Sequence, residues 1–146
     1  MIAQPCELVV KTLIPAIRAM VARELVMNSG KKQVEAAELL GVTQAAISQY
    51  LRGTRGGKLR LDKYPEVVSI VKRLAQGLAE GKLGKDEAAI LVCEACYTAR
   101  KLGVFCDSDV GAREKYAETA QLICKYDAMR PELLKKVSPR GSLGSP

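Results

Sequence analysis

The feature that most constrains the fold is a pair of short segments, Gln33–Leu40 and Gln44–Leu51, separated by the tripeptide Gly41-Val42-Thr43. Apolar residues recur at helical spacing in both segments, which predicts two short α-helices joined by a tight turn. Gly41 can adopt a positive φ in this turn without a Cβ penalty, and Thr43 is a typical N-cap for the second helix. This arrangement predicts a helix-turn-helix.

The residues at which the two helices would touch have the sizes that the motif requires. Ala37 is small where the helices cross, and apolar side chains stand where the second helix must be locked on the first. These apolar positions are Ala36, Leu40, Val42, Ile47 and Tyr50. All the requirements are met within Gln33–Arg52. A helical hairpin that serves only packing or protein contact is the alternative interpretation.

The second helix of such a motif enters the major groove of DNA and reads base edges. Its predicted exposed positions are Thr43, Gln44, Ala45, Ser48, Gln49 and Arg52. A Gln amide can bond adenine in a bidentate manner, an Ala methyl can contact the thymine methyl, and Ser and Arg can reach bases or phosphates. We therefore expect double-stranded DNA as a partner.

Positive charge is concentrated directly after this motif. The chain has a net charge of +7, and residues 52–63 hold a single acid, Asp62. The bases in this stretch are Arg52, Arg55, Lys58, Arg60 and Lys63. We expect Arg55, Lys58 and Arg60, which lie in or beside a Gly-rich loop, to contact the phosphate backbone and supply salt-dependent affinity.

The rest of the chain also has the pattern of helices punctuated by Gly and Pro, so the predicted fold class is all-α. An amphipathic helix covers residues 7–26, with a kink or a division into two short helices at Pro15. Further helices are predicted from Pro65 to about Glu80, from about Asp86 to Leu102, from about Val110 to Met129, and briefly after Pro131.

Three parts are predicted along the chain. Residues 1–62 form a DNA-binding domain, with the Gly-rich loop near its end, and residues 63–137 form a helical domain that holds a metal centre and dimerises. Residues 138–146 are rich in Ser, Gly and Pro, which predicts a disordered tail.

The composition excludes several classes of function. No apolar run approaches the roughly 18 residues that span a bilayer, and no secretion signal is recognisable, so we expect a cytoplasmic protein without membrane contact. The chain contains no His, which removes the commonest general base and excludes His-based hydrolase triads. Because a nucleotide-phosphate loop is also missing, the sequence predicts a protein that is not an enzyme.

Four of the Cys residues are spaced C-x2-C-x9-C-x17-C. Cys93 and Cys96 share one face of a predicted helix, Cys106 follows the Gly that ends it, and Cys124 comes from the last helix. This set suits a [4Fe–4S] cluster, because one tight pair plus two spread ligands can reach separated corners. Zn²⁺ and buried or redox-active thiols are the alternatives. Cys6 is the spare, as a small buried residue or N-cap, or as a ligand in place of Cys124.

Six stretches within residues 5–106 resemble the sequence of a known family. They read Pro5-Cys6-Glu7, Pro15-Ala16-Ile17-Arg18, Val34-Glu35-Ala36-Ala37, the run from Gly41 to Leu51, Cys93-Glu94-Ala95-Cys96 and Gly103-Val104-Phe105-Cys106. In these stretches the chain resembles archaeal helix-turn-helix regulators of the Xre/lambda-repressor-like class. The resemblance implies transcriptional regulation and, as in some relatives, an iron–sulfur centre. Members often carry an acidic residue and then His after the third Cys, whereas here the segment is Asp107-Ser108-Asp109.

Together these observations predict a two-part transcription factor that acts as a homodimer, because pairing doubles the half-site that one short recognition helix can read. We expect a [4Fe–4S] cluster, ligated by the four spaced cysteines, to sense redox state, oxygen or iron. One rival hypothesis is a DNA-binding regulator with structural zinc. Another is an antitoxin-like module that binds a partner protein through its C-terminal half.

Overall fold

The computed structural model describes residues 4–57, 59–107 and 117–137. Every regular element in these three ranges is a helix or a helical turn. The predicted all-α class is therefore confirmed for the described part of the chain.

The first helical stretch consists of α1 (Pro5–Leu8), a wide π-helical turn (Val9–Leu13), α2 (Ile14–Arg23) and a second wide turn (Glu24–Asn28). The first wide turn lies just before Pro15, which has no N–H to donate within the helix. Just before Pro15, the N–H of Ile14 donates to the carbonyl of Val9, five residues earlier, rather than to the carbonyl four residues earlier as in an α-helix. The break predicted at Pro15 thus takes the form of a widened turn between two short α-helices.

The two helices of the predicted motif are α3 (Gln33–Leu40) and α4 (Gln44–Arg52). Their bounds confirm the segments read from the sequence, with one further residue at the end of α4. Both helices pack against α2 as well as against each other, so α2 completes the motif as a third helix.

A helical hairpin follows the motif. A short 3₁₀ turn (Leu61–Lys63) leads into α5 (Pro65–Ala79), and α6 (Lys85–Lys101) returns along it. Gly77 permits the close return of the chain, because a Cβ at this position would overlap the side chain of Leu83.

The last described elements are a 3₁₀ turn (Val104–Cys106) and α7 (Ala117–Val137). The separate short helix predicted after Pro131 is wrong, because α7 continues through this residue. Pro131 is exposed, so no packing partner is disturbed where the helix lacks one N–H donor. The predicted start at Val110 and the predicted tail 138–146 lie outside the described residues.

In the described part of the chain, the buried hydrophobic side chains form one cluster that includes residues from both predicted domains. Its most deeply buried members include Leu13, Ile17, Leu25 and Ile47 before residue 62, and Val67, Leu74, Ala95 and Ile123 after it. In addition, α2 contacts α5 and α6, and α1 contacts α7. The predicted boundary at residue 62 therefore lies inside a continuous core.

Across the described ranges, no helix has both the length and the apolar character needed to cross a lipid bilayer.

Candidate nucleic-acid interface and the cysteine region

The turn between α3 and α4 has the geometry that its residues predict. Gly41 ends α3 with a φ of 65°, in the left-handed region where a side chain would be strained. Thr43 then caps α4, because its Oγ1 accepts a hydrogen bond of 3.1 Å from the backbone N–H of Ala46. The first turn of α4 is thereby fixed relative to α3.

The inner face of α4 anchors it to the core. Ala46, Ile47 and Tyr50 are all buried. In addition, Nη2 of Arg23 donates to the backbone carbonyl of Tyr50 across 3.3 Å, which ties the end of α4 to the end of α2. A helix that is fixed on its inner face presents its outer side chains in a defined direction.

The outer face of α4 carries the residues predicted to read DNA. Thr43, Gln44, Ala45 and Arg52 are exposed, whereas Ser48 and Gln49 are half-buried. The exposed residues include the three at the N-terminal end of the helix, which is the end that contacts base edges in docked helix-turn-helix proteins.

The loop after α4 carries a second basic side chain, Arg55, in addition to Arg52 at the end of the helix. Gly53 ends the helix with a φ of 75°, and Thr54 Oγ1 donates to the carbonyl of Gln49 across 3.2 Å. The guanidinium carbon of Arg55 lies 5.5 Å from the centre of the Tyr50 ring, within the range of a cation–π contact. Lys58, predicted as a further phosphate contact, lies outside the described residues.

Arg60, which is predicted to contact the phosphate backbone, pairs with a neighbouring carboxylate. Its Nε and Nη2 donate to the two carboxylate oxygens of Asp62 across 3.1 and 3.0 Å. This hydrogen-bonded pair lowers the pKa of Asp62. Both side chains are largely exposed, so water screens this pair, and the phosphate contacts of Arg52, Arg55 and Arg60 stay predictions.

The four cysteines predicted as ligands do not form a metal site in this arrangement. Cys106 and Cys124 are joined by a disulfide, with their Cα atoms 5.1 Å apart. Cys93 and Cys6 are exposed, and Cys96 is half-buried. In the described ranges, no three His, Cys, Asp or Glu residues are grouped so that they could hold a metal ion. Because a disulfide sulfur is not a thiolate, the predicted four-thiolate [4Fe–4S] or Zn²⁺ site requires the reduced form of Cys106 and Cys124, and it stays a prediction.

An ion pair beside Cys96 links α6 to α7. Nη2 and Nε of Arg100 donate to the Asp127 carboxylate across 2.6 and 3.0 Å, and this pairing raises the pKa of Arg100. Burial raises the pKa of the Cys96 thiol, although the positive charge of Arg100 acts in the opposite direction. Cys96 is therefore a weaker nucleophile at neutral pH than an ordinary thiol.

Two side-chain contacts were not predicted from the sequence. Both the Arg23 bond to Tyr50 and the Arg100 pair with Asp127 join residues 27 positions apart. No local pattern marks such pairs. The available signal for the Arg100–Asp127 pair was that each charged residue lies on a predicted helix close to a cysteine.

A family model described as helix-turn-helix matches residues 23–56. The match covers α3, α4, the turn between them and the first part of the loop after α4. This loop, residues 53–58, is called the basic loop below. It confirms the helix-turn-helix over these residues, but does not reach the cysteine region. No curated protein and no solved structure matches the chain. The chain thus contains a helix-turn-helix, a fold of DNA-binding regulators rather than of enzymes, and this supports a DNA-binding regulator.

Proposed function

We propose that the protein is a cytoplasmic, sequence-specific transcriptional regulator that binds double-stranded DNA through α4 and the basic loop. The observation that carries the proposal is the contrast between the two faces of α4. Ile47 and Tyr50 are buried, whereas Thr43, Gln44 and Ala45 are exposed. A helix that is rigidly seated and polar at its exposed N-terminal end suits the major groove.

The exposed groups divide into base readers and phosphate contacts. Gln44, at the first position of α4, is assigned to bidentate recognition of adenine. Arg52 and Arg55 are assigned to phosphates. The ring of Tyr50 lies beneath the Arg55 guanidinium, which restricts its orientation and lowers the entropy lost on contact with the backbone.

A binding site selected from random duplexes would allow both roles to be tested by fluorescence anisotropy. Gln44→Ala should raise the Kd for the selected site about 5- to 150-fold, equivalent to about 1–3 kcal/mol, and leave binding to random duplexes unchanged. Arg55→Ala should weaken binding to both duplexes and reduce the salt slope by about one.

Matched controls lie on α5, where Gln76 and Arg73 are also exposed. Gln76→Ala and Arg73→Ala should leave both Kd values as they are. The DNA-binding proposal fails if Gln44→Ala and Arg55→Ala behave like these controls.

We further propose that the protein acts as a homodimer. One helix-turn-helix contacts only a few base pairs, and two copies related by a two-fold axis read two half-sites about one helical turn apart. The selected binding site should therefore be an inverted repeat. A selected site without internal symmetry would contradict this part of the proposal.

The sensing part of the proposal rests on the cysteines of α6, α7 and the turn between them. A dithiol reductant would donate two electrons and two protons to the Cys106–Cys124 disulfide and would itself become a disulfide. Both cysteines would then be thiols, and α7 would lose its covalent link to the turn after α6. We propose that this change alters DNA affinity. Only the reduced form offers all four thiolates of the predicted [4Fe–4S] or Zn²⁺ site.

Two measurements distinguish sensing by a bound metal from sensing by the disulfide alone. Iron and zinc analysis after anaerobic purification tests the metal site, and Cys124→Ser should remove bound metal whereas Cys6→Ser should not. In the metal-free protein, reduction by dithiothreitol should change DNA affinity in the wild type but not in Cys124→Ser. The sensing proposal fails if the protein is metal-free and reduction leaves the wild-type affinity unchanged.

A further inference from the structure

One exposed stripe on α6 has no role in the DNA interface. It consists of Asp86, Ile90, Cys93, Tyr97 and Lys101, at successive spacings of four, three, four and four residues. At 3.6 residues per turn these side chains fall within an arc of about 80°. Ile90 is 62% exposed and Tyr97 is 55% exposed, and with Cys93 between them they form a contiguous apolar patch of the kind that marks an interaction surface.

The charges of the stripe are arranged so that it complements itself. Asp86 lies at the start of α6 and Lys101 at its end. Among the described residues, neither takes part in an ion pair. When two copies of α6 are laid antiparallel, Asp86 of each copy faces Lys101 of the other, and the apolar residues meet in the middle.

We propose that the α6 stripe is the interface through which two copies of this chain pair antiparallel about a two-fold axis. The axis passes α6 between Cys93 and Glu94, so Ile90 of each copy packs against Tyr97 of the other. Each end of the interface then holds one Asp–Lys pair. This inference deepens the homodimer part of the proposed function and rests on it.

The geometry makes the pairing testable because the two charges cannot meet within one chain. Fifteen residues of α-helix separate Asp86 from Lys101, which corresponds to about 22 Å along the axis. An exchange of charge that restores association must therefore act between copies. The position of Cys93 beside the axis also brings the two Cys93 thiols close together.

The first experiment compares Asp86→Lys and Lys101→Asp in the full-length chain by sedimentation equilibrium without DNA. Each single variant places like charges opposite each other at both ends of the interface and should raise the dimer Kd about tenfold or more. An equimolar mixture of the two variants should associate as tightly as the wild type, because opposite charges then meet at both ends. Far-UV circular dichroism checks that each variant remains helical.

A second experiment tests the apolar centre and the axis. Ile90→Glu should dissociate the dimer, whereas Val10→Glu should not, although Val10 is 64% exposed on the first helical stretch. In the metal-free protein, a short bismaleimide should cross-link the wild type and Cys6→Ser, but not Cys93→Ser.

The outcomes test the α6 interface separately from the proposal that the protein forms a homodimer. A wild-type dimer that none of the α6 variants weakens, or single variants that do not associate when mixed, would overturn the α6 interface and leave the homodimer standing. A wild-type monomer at concentrations of tens of micromolar would overturn both. Because these measurements contain no DNA, neither result bears on the assignment of α4.

Discussion

The Arg100–Asp127 pair gives the sharpest prediction about stability, because it is a two-bond link between α6 and α7. The side chains of Arg100 and Asp127 are 22% and 17% exposed. Replacing either residue by Ala leaves the other charge largely desolvated without its partner. We therefore expect each single substitution to lower the free energy of unfolding by about 2–3 kcal/mol.

The coupling between the two residues follows from their partial burial. Two unit charges about 4 Å apart attract each other by about 4 kcal/mol at an effective dielectric constant of about 20. The cost of removing both from water offsets part of this attraction, and the remaining solvent exposure screens more of it. We expect a coupling free energy of about 2 kcal/mol.

The assay is a double-mutant cycle in urea, with Arg100→Ala, Asp127→Ala and the double variant compared under identical redox conditions. The pair formed by Lys135 and Glu132 on α7 is the control, because both side chains are at least 70% exposed. Its coupling should not exceed about 0.5 kcal/mol. Equal couplings for the two pairs would refute the reasoning that burial strengthens the link to α7.

Three further predictions concern the motif, the loop and the thiols. Thr43→Ala should lower the free energy of unfolding by about 1 kcal/mol in urea denaturation, because the cap of α4 is lost; no change would mean that the cap is dispensable. Gly56→Ala should cost about 2 kcal/mol or more, because a Cβ there would overlap the α2 backbone at a φ of +74°. Gly81→Ala, with a similar φ but open space around it, should cost less. Iodoacetamide should modify Cys96 more slowly at neutral pH than it modifies the thiol of a short unstructured peptide, because burial raises the pKa of Cys96 and delays thiolate formation. The same pH profile for Cys96 and the peptide thiol would contradict this.

The helix-turn-helix was accessible from the sequence because its determinants are local. The positive φ of Gly41 and the cap at Thr43 depend only on residues that are close in sequence. The inner face of α4 packs against α2 as well as α3, but its apolar residues recur at helical spacing, so the sequence also predicts which face is buried.

The cysteine region was less accessible, because spacing alone does not determine which thiols approach each other. The tight pair Cys93 and Cys96 indicated a shared site, yet the disulfide joins Cys106 to Cys124. That choice depends on how α7 packs against the 3₁₀ turn after α6, which is a tertiary contact. The continuity of the core across residue 62 likewise depends on long-range packing that no local pattern records.

The contact between α1 and α7 has a consequence for how the protein is made. More than 100 residues of chain separate Leu8, which is buried, from the start of α7 at Ala117. During synthesis at about 5–20 residues per second, the N-terminal residues emerge several seconds before the helix that they contact. During this interval, apolar side chains of α1 that α7 later covers are exposed to solvent. The packing of α1 should therefore be completed only after α7 has been synthesised, and a chaperone that shields α1 until then should increase the yield.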